Sequence, residues 1–488
     1  MLPKRNAPVE MQGSEFRQAG YQLIDQIADF IDHIREKPVT TSPSSAQLSA
    51  IIGLDPLPDQ GKAAHDIISR ASSLLFNHSL FNGHPRFFGY ITSSAAPLGA
   101  LADLLAASVN PNVGAFILSP LATTIEKQVI KWLGEFIAVP ACFDGILVSG
   151  GNMANFTAFF AAINVKIPES KKKGVSGAVS QPVIYCCRTT HTWIEKAAFL
   201  SGLGLDSIHW IAPDSANRID IVLLEKAIQE DKKNNLRPIM VIGTAGDVST
   251  GAVDDLKSIA AICKKHDCWF HVDGAYGIPA AVVPEQRPLF DGMAEADSIA
   301  LDPHKWLYAP LEAGCTLVKD PNHLLQTYSA HPVYYNFNNE AEPDARNFYE
   351  YGFQNSRGFR ALKVWMLLQQ AGRQGYIEMI STDIQLAKLL YQLASQHAEL
   401  EAVTRNLSIT TLRYCPPGYP EPELNQLNER LLNELQRNGE VFLSNAVIAG
   451  RYCLRACIVN FRTSEKDIEE MVEIIVRTGR RVAEIIKS

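Results

Sequence analysis

Ser298-Ile299-Ala300-Leu301-Asp302-Pro303-His304-Lys305-Trp306 is an apolar run that breaks into a polar turn. The run reads as a buried strand, and proline marks its end. A lysine held between His304 and Trp306 at such a strand end can have its pKa lowered and act as an amine nucleophile. A lysine snorkelling out of a strand end is the structural alternative. The rest of the chain decides between them, because the pattern of strand followed by polar turn recurs from Gly145 onward.

Strand candidates are Ile146–Val148, Val183–Tyr185, Ile208–Ile211, Ile239–Ile242, Trp269–Val272, Ser298–Leu301 and Cys315–Val318. Between them lie helical stretches, among them Ala154–Ile163, Leu223–Gln229 and Asp255–Lys265. This alternation predicts an α/β fold, with a mostly parallel central sheet covered by helices. In such sheets ligands bind beyond the carboxyl ends of the strands.

Outside this region the pattern changes. Leu23, Ile24, Ile27, Phe30, Ile31 and Ile34 form one face of an N-terminal helix. The Pro- and Ser-rich stretch from Glu36 to about Gln60 reads as an arm. Gly83-His84-Pro85-Arg86-Phe87-Phe88-Gly89-Tyr90 is dense in aromatics, suited either to core packing or to a pocket wall for a flat ligand. Helices are predicted over Pro97–Ser108 and from Ser119-Pro120. The loop from His331 to about Phe353 is long enough to be a functional lid. Beyond it come a long helical stretch from Gly358 to His397, β-rich pieces (Ile409–Tyr414, Val441–Leu443, Cys453–Phe461), and a closing helix capped by Thr463 and Ser464. The expected division is an N-terminal helical segment and arm (1–82), a large α/β domain (83–345) and a C-terminal α+β domain (346–488).

The 488 residues carry a formal net charge of -7, with no basic footprint for nucleic acid. No apolar run spans a bilayer and no secretory signal is visible, so the cytoplasm is the default. The nine cysteines are scattered, without CxxC or zinc-like Cys/His spacing; buried thiols and no metal are expected.

Four strand ends then converge on one kind of ligand. Val148 runs into Ser149-Gly150-Gly151-Asn152 and straight into a helix. Glycine admits backbone N–H groups to an anion, and a helix N-terminus is positive, so this turn is a phosphate cradle. His191 follows the second strand. Asp273 closes the strand Trp269-Phe270-His271-Val272, where an unpaired acid is costly and needs a cationic or protonated partner, or a metal. Lys305 follows the sixth. A phosphate cradle, an imidazole face, a buried carboxylate and an activated lysine together match the needs of pyridoxal 5'-phosphate.

The motif Asp302-Pro303-His304-Lys305-Trp306, with His271-Val272-Asp273-Gly274-Ala275-Tyr276 upstream, resembles the group II pyridoxal-phosphate-dependent amino acid decarboxylases, in particular the aromatic-L-amino-acid members. The likeness runs from His84-Pro85-Arg86-Phe87-Phe88 to Ser356-Arg357-Gly358-Phe359-Arg360-Ala361-Leu362-Lys363. It implies the fold type I of pyridoxal enzymes and a homodimer with active sites at the interface. It further implies that Lys305 forms the Schiff base, Asp273 pairs with the pyridine nitrogen and His191 stacks on the ring. Gly150, Gly151 and Asn152 would hold the phosphate with His304 beside it, and Ala275 would lie on the other ring face. Tyr334, counted back from Arg357, would be the loop tyrosine that reprotonates Cα, with Tyr335 as its alternative. Tyr90, Ile91 and Ser93 would line the substrate pocket. Three positions depart from the aromatic decarboxylases. Asp302 stands where asparagine is usual, Val248 where threonine is expected, and Gly-Gly-Asn replaces a Ser-containing phosphate run.

The expected activity is removal of the α-carboxylate of an L-amino acid, aromatic for preference, as amine and CO2. The alternatives are oxidative decarboxylation to an aldehyde, against which Tyr334 argues, and a non-catalytic pyridoxal-phosphate-binding protein, against which the intact set of Lys305, Asp273 and His191 argues. An arginine such as Arg455 could select an acidic substrate if it entered the pocket.

Overall fold

The computed structural model describes residues 5–330 and 345–487. The chain opens with three helices, α1 (Gly13–His33), α2 (Ser45–Ile52) and α3 (Ala64–His78). The stretch read as an arm thus contains α2. Ser44 and Gln47 build a capping box at its start, a short-range signal that the proline count obscured. Next come α4 (Pro97–Val109) and α5 (Pro120–Phe136), both with proline in the first turn.

The central region then alternates as expected: β1 (Asp144–Val148), α6 (Gly151–Lys166), α7 (Ser170–Lys173), β2 (Pro182–Cys187), α8 (Trp193–Leu200), β3 (Ile208–Ile211), α9 (Ile221–Lys233), β4 (Arg237–Thr244), α10 (Leu256–His266), β5 (Trp269–Asp273), β6 (Ser298–Leu301), β7 (Gly314–Val318) and α11 (Asn322–Tyr328). The seven strands form one sheet in the order β1-β7-β6-β5-β4-β2-β3. The contacts among β6, β5, β4, β2 and β3 are parallel, whereas β7 runs antiparallel to both β1 and β6. Every residue of β2, β5, β6 and β7 is buried. Strands covered on both faces need apolar residues on both, which is why these read as continuous runs.

The remainder comprises α12 (Ala361–Gln396), β8 (Leu400–Asn406), β9 (Ile409–Tyr414), α13 (Glu421–Asn438), β10 (Ser444–Ile448), β11 (Arg451–Cys457) and α14 (Glu465–Lys487). The four strands form a second, antiparallel sheet, β10-β11-β9-β8. The run Val441–Leu443 is not part of it. Phe442 instead bridges Phe87, and the Phe88 N–H donates to Phe442 O at 2.8 Å, so the apolar run is buried against the aromatic stretch. α12 joins the two sheets. Gly372 breaks its helical geometry at φ 61° and ψ 176°. Val364, Leu367, Tyr376 and Ile380 pack in the core of the large sheet, and Leu386, Ala387, Leu390 and Ala394 in that of the small one. Cys142 is exposed and Cys415 half-buried; the other seven cysteines are buried, and none is in a disulfide. Among the described residues no helix is long and apolar enough to cross a membrane.

Candidate active site

The carboxyl ends of the strands meet in a cleft of about 870 Å³. From β1 and α6 it takes Ser149, Gly150, Gly151 and Asn152; from β5, Asp273 and Ala275; from the turn after β6, Asp302, His304 and Lys305. Chain topology explains the meeting. β1 and β6 flank β7, and the reversed β7 begins at their carboxyl ends, where Gly314 lets it pass the phosphate turn. A Cβ on Gly314 would lie 2.6 Å from the Gly150 Cα.

The Lys305 turn is pinned from behind. Its N–H donates to Asp302 O at 2.9 Å. Trp306 is fully buried, stacks on Tyr276 at 5.1 Å and donates its Nε1–H to Asp383 Oδ2 at 2.9 Å. The Tyr308 hydroxyl donates to the same oxygen at 2.6 Å. Burial pushes the Asp383 carboxyl up to about 7. Nζ itself lies 3.1 Å from Asp302 Oδ2.

Asp273 is buried at the end of β5, and its orientation is set by two donors. Trp193 Nε1–H reaches Oδ2 at 2.7 Å, and the Ala275 N–H reaches Oδ1 at 3.3 Å. His191 lines the same cleft, and its Nδ1 accepts the Trp193 N–H at 3.3 Å. Burial lowers the His191 pKa, with the charge of Asp273 working against the fall. His304 is held by Nδ1, 2.7 Å from Ala313 O, and burial lowers its pKa too. Both imidazoles therefore favour the neutral form at neutral pH.

Gly150 adopts φ 150° and ψ -178°, and Gly151 begins a sixteen-residue helix whose amino end faces the cleft. A Cβ on Gly151 would stand 2.6 Å from Asp302 Oδ2, so only glycine leaves these amides open to an anion. Of the residues expected to meet the substrate, Tyr90 and Ile91 line the cleft. Ser93 lies behind it: its hydroxyl donates to His304 O at 3.0 Å, and Thr92 takes the lining position. Tyr334 and its alternative Tyr335 lie outside the described residues.

Sequence reasoning missed Trp193, whose indole sets Asp273; nothing but its position two residues after His191 pointed to it. It left Arg455 open, and the structure brings that side chain into the cleft. Arg455 is buried, and its Nε and Nη2 donate to Ser444 Oγ at 2.9 and 2.6 Å, with Nη1 on the carbonyl of Val248. Among the described residues no carboxylate pairs with it, and burial lowers its pKa.

The Pyridoxal-dependent decarboxylase conserved domain matches residues 53–413. The chain belongs to the pyridoxal-dependent decarboxylase family. An aromatic-L-amino-acid decarboxylase of Bacillus atrophaeus is 31% identical over 98% of this chain and 97% of its own. A phenylacetaldehyde synthase of Petunia hybrida is 28% identical over 91% and 90%. The crystal structure of the Oryza sativa TDC with PLP and tryptamine superposes with a TM-score of 0.92 at 24% identity, over 98% of this chain and 99% of that one. The family's cofactor is pyridoxal phosphate, and the cleft fits it. Glycine alone leaves the cradle open, an oriented carboxylate stands at the end of β5, and a lysine stands two residues after Pro303.

Proposed function

We propose that this decarboxylase removes the α-carboxylate of an L-amino acid, aromatic for preference, releasing the amine and CO2. The observation that carries it is the convergence of Lys305, Asp273 and the α6 amino end in one cleft. Bound pyridoxal phosphate supplies the sink for the electron pair left behind when CO2 departs.

The side chains divide the remaining work. Lys305 would hold the cofactor by its aldehyde end. Asp273, steered by Trp193 and the Ala275 N–H, would hold a proton on the pyridine nitrogen. The amides of Gly150, Gly151 and Asn152 would hold the phosphate, with neutral His304 alongside. His191 would cover one ring face and Ala275 the other. Arg455 faces the substrate with donors that Ser444 and Val248 only partly use, which suits a carboxylate. Tyr90, Ile91 and Thr92 wall the side-chain end, and Tyr334 returns the proton to Cα.

A homodimer is supported by an apolar surface beside the site. Leu101, Leu104, Leu105 and Val109 of α4 are exposed, as are Ile117, Leu118 and Leu121. α4 starts where the Ala96 N–H donates to Tyr308 O at 2.9 Å, within the Lys305 turn region. An apolar face of this extent fits a second protomer that closes the cleft.

The test is release of CO2 and amine across the common amino acids by the purified protein. Lys305→Ala should abolish both turnover and the visible band of the bound cofactor; a fully active Lys305→Ala variant would sink the reading. Kinship to a phenylacetaldehyde synthase makes aldehyde formation the second reading, and oxygen consumption with peroxide release would favour it.

A further inference from the structure

We propose that Asp302 is the counter-ion of the Lys305 nitrogen and keeps a proton on it in the cofactor-loaded enzyme. The inference rests on Lys305 being the lysine that joins the cofactor. Asp302 is fully buried, with Oδ2 3.1 Å from Lys305 Nζ. The turn fixes the pair, since the Lys305 N–H donates to Asp302 O and returns both side chains to one side. Among the described residues neither carboxylate oxygen has a hydrogen-bond partner, which leaves the ion pair with Nζ as its close contact. A carboxylate removed from water without hydrogen bonds is held ionised only by positive charge nearby.

The groups that face Asp302 make Lys305 that charge. From its own turn there is His304, with Nε2 at 3.8 Å. From α6 there is the helix end at Gly151, against which Oδ2 is seated. His191 and Cys315 are near enough to interact electrostatically. Burial disfavours the charged forms of His304, His191 and Cys315 alike. Among the described residues, the Lys305 nitrogen is the full positive charge paired with it, at 3.1 Å.

When the lysine amine condenses with the cofactor's aldehyde, one water leaves and the nitrogen keeps one titratable position. A carboxylate within hydrogen-bonding range raises the pKa of such a group by roughly 1–3 units. Asparagine has the same shape without the charge, and it lowers that pKa. The protonated linkage absorbs in the visible and the unprotonated one in the near ultraviolet, so the titration is read without turnover.

Wild type, Asp302→Asn, Asp302→Ser and Lys305→Ala are to be loaded with pyridoxal phosphate and titrated by absorbance. Cofactor retention is followed by dialysis. In the neutral variants the visible band should give way at a pH lower by about one unit or more than in wild type. A midpoint that is unchanged or raised in both overturns the proposal. Tighter cofactor retention with an unmoved midpoint also overturns it, since Asp302 would then act on the phosphate. Should Asp302→Asn fail to fold, Asp302→Ser carries the test. If wild type shows no visible band, or Lys305→Ala keeps it, the reading of Lys305 itself has failed.

Discussion

Replacing Arg357 by methionine removes the cation from a pair that is buried on both sides. Arg357 and Glu126 have side-chain exposures of 1% and 0%. Nη2 donates to Glu126 Oε1 at 2.5 Å and to Leu147 O at 2.6 Å; Nη1 donates to Val113 O at 2.8 Å and to Glu126 Oε2 at 3.2 Å. The guanidinium also lies 4.9 Å from the Phe348 ring centroid. In Arg357→Met, Glu126 keeps, among the described residues, only the Leu147 N–H at 3.0 Å. A buried charge stripped of its partner costs about 3–5 kcal/mol. Two carbonyls also lose a donor, and methionine returns part of this through apolar packing, so the expected loss is about 3–5 kcal/mol overall. Adding Glu126→Gln removes the orphaned charge and should recover at least half. Leu147 belongs to β1, which delivers the phosphate turn, so the single variant should also retain pyridoxal phosphate less well. Urea unfolding followed by circular dichroism measures the first effect and equilibrium dialysis the second. A single variant within about 1 kcal/mol of wild type, or a double variant no better than the single, refutes the reasoning.

Three further outcomes are expected. Gly151→Ala drives a methyl to 2.6 Å from Asp302 Oδ2 and blocks the cradle, so dialysis should show pyridoxal phosphate held at least tenfold more weakly. Arg455→Gln should raise KM for the amino acid severalfold with cofactor retention near wild type; unchanged steady-state kinetics would remove Arg455 from the substrate's path. Asp383 binds its proton up to about pH 7 when folded but only to the ordinary carboxylate range when unfolded. The folded state therefore holds more protons between these values, and this group's contribution to stability is lost as pH rises towards 7. Asp383→Asn should flatten that part of the pH–stability curve, and an unaltered slope counts against it.

The large sheet was legible because its strands are buried on both faces. β3, β6 and β9 keep the expected ends, and the other strands of the large sheet extend theirs by one or a few residues. β8 escaped notice because five of its seven residues are only half-buried, and Glu401, Thr404, Arg405 and Asn406 interrupt its apolar signal. The reversal of β7 was equally hidden, since direction leaves no mark on composition. The turns that bring Gly150, Asp273 and Lys305 together were readable because each follows an apolar run. Ser93 and Thr92 show the limit: adjacent residues point to opposite sides of an irregular backbone, and only coordinates tell which one meets the cleft. Arg455 and Trp193 depend on long-range packing that no local pattern encodes.

The anchor behind Lys305 bears on how far the chain could be cut back. Asp383 sits between Ile380, packed with the large sheet, and Leu386, packed with the small one. A shortened polypeptide ending at the Gly372 break would keep the Gly150-Gly151 turn, Asp273 and the Asp302–Trp306 motif, yet its lysine turn would have no seat for Trp306 and Tyr308. Engineers seeking a minimal catalytic fragment should therefore treat the helix beyond Gly372 as indispensable, and grafts of the Asp302–Trp306 motif onto other scaffolds should carry an acid in Asp383's place.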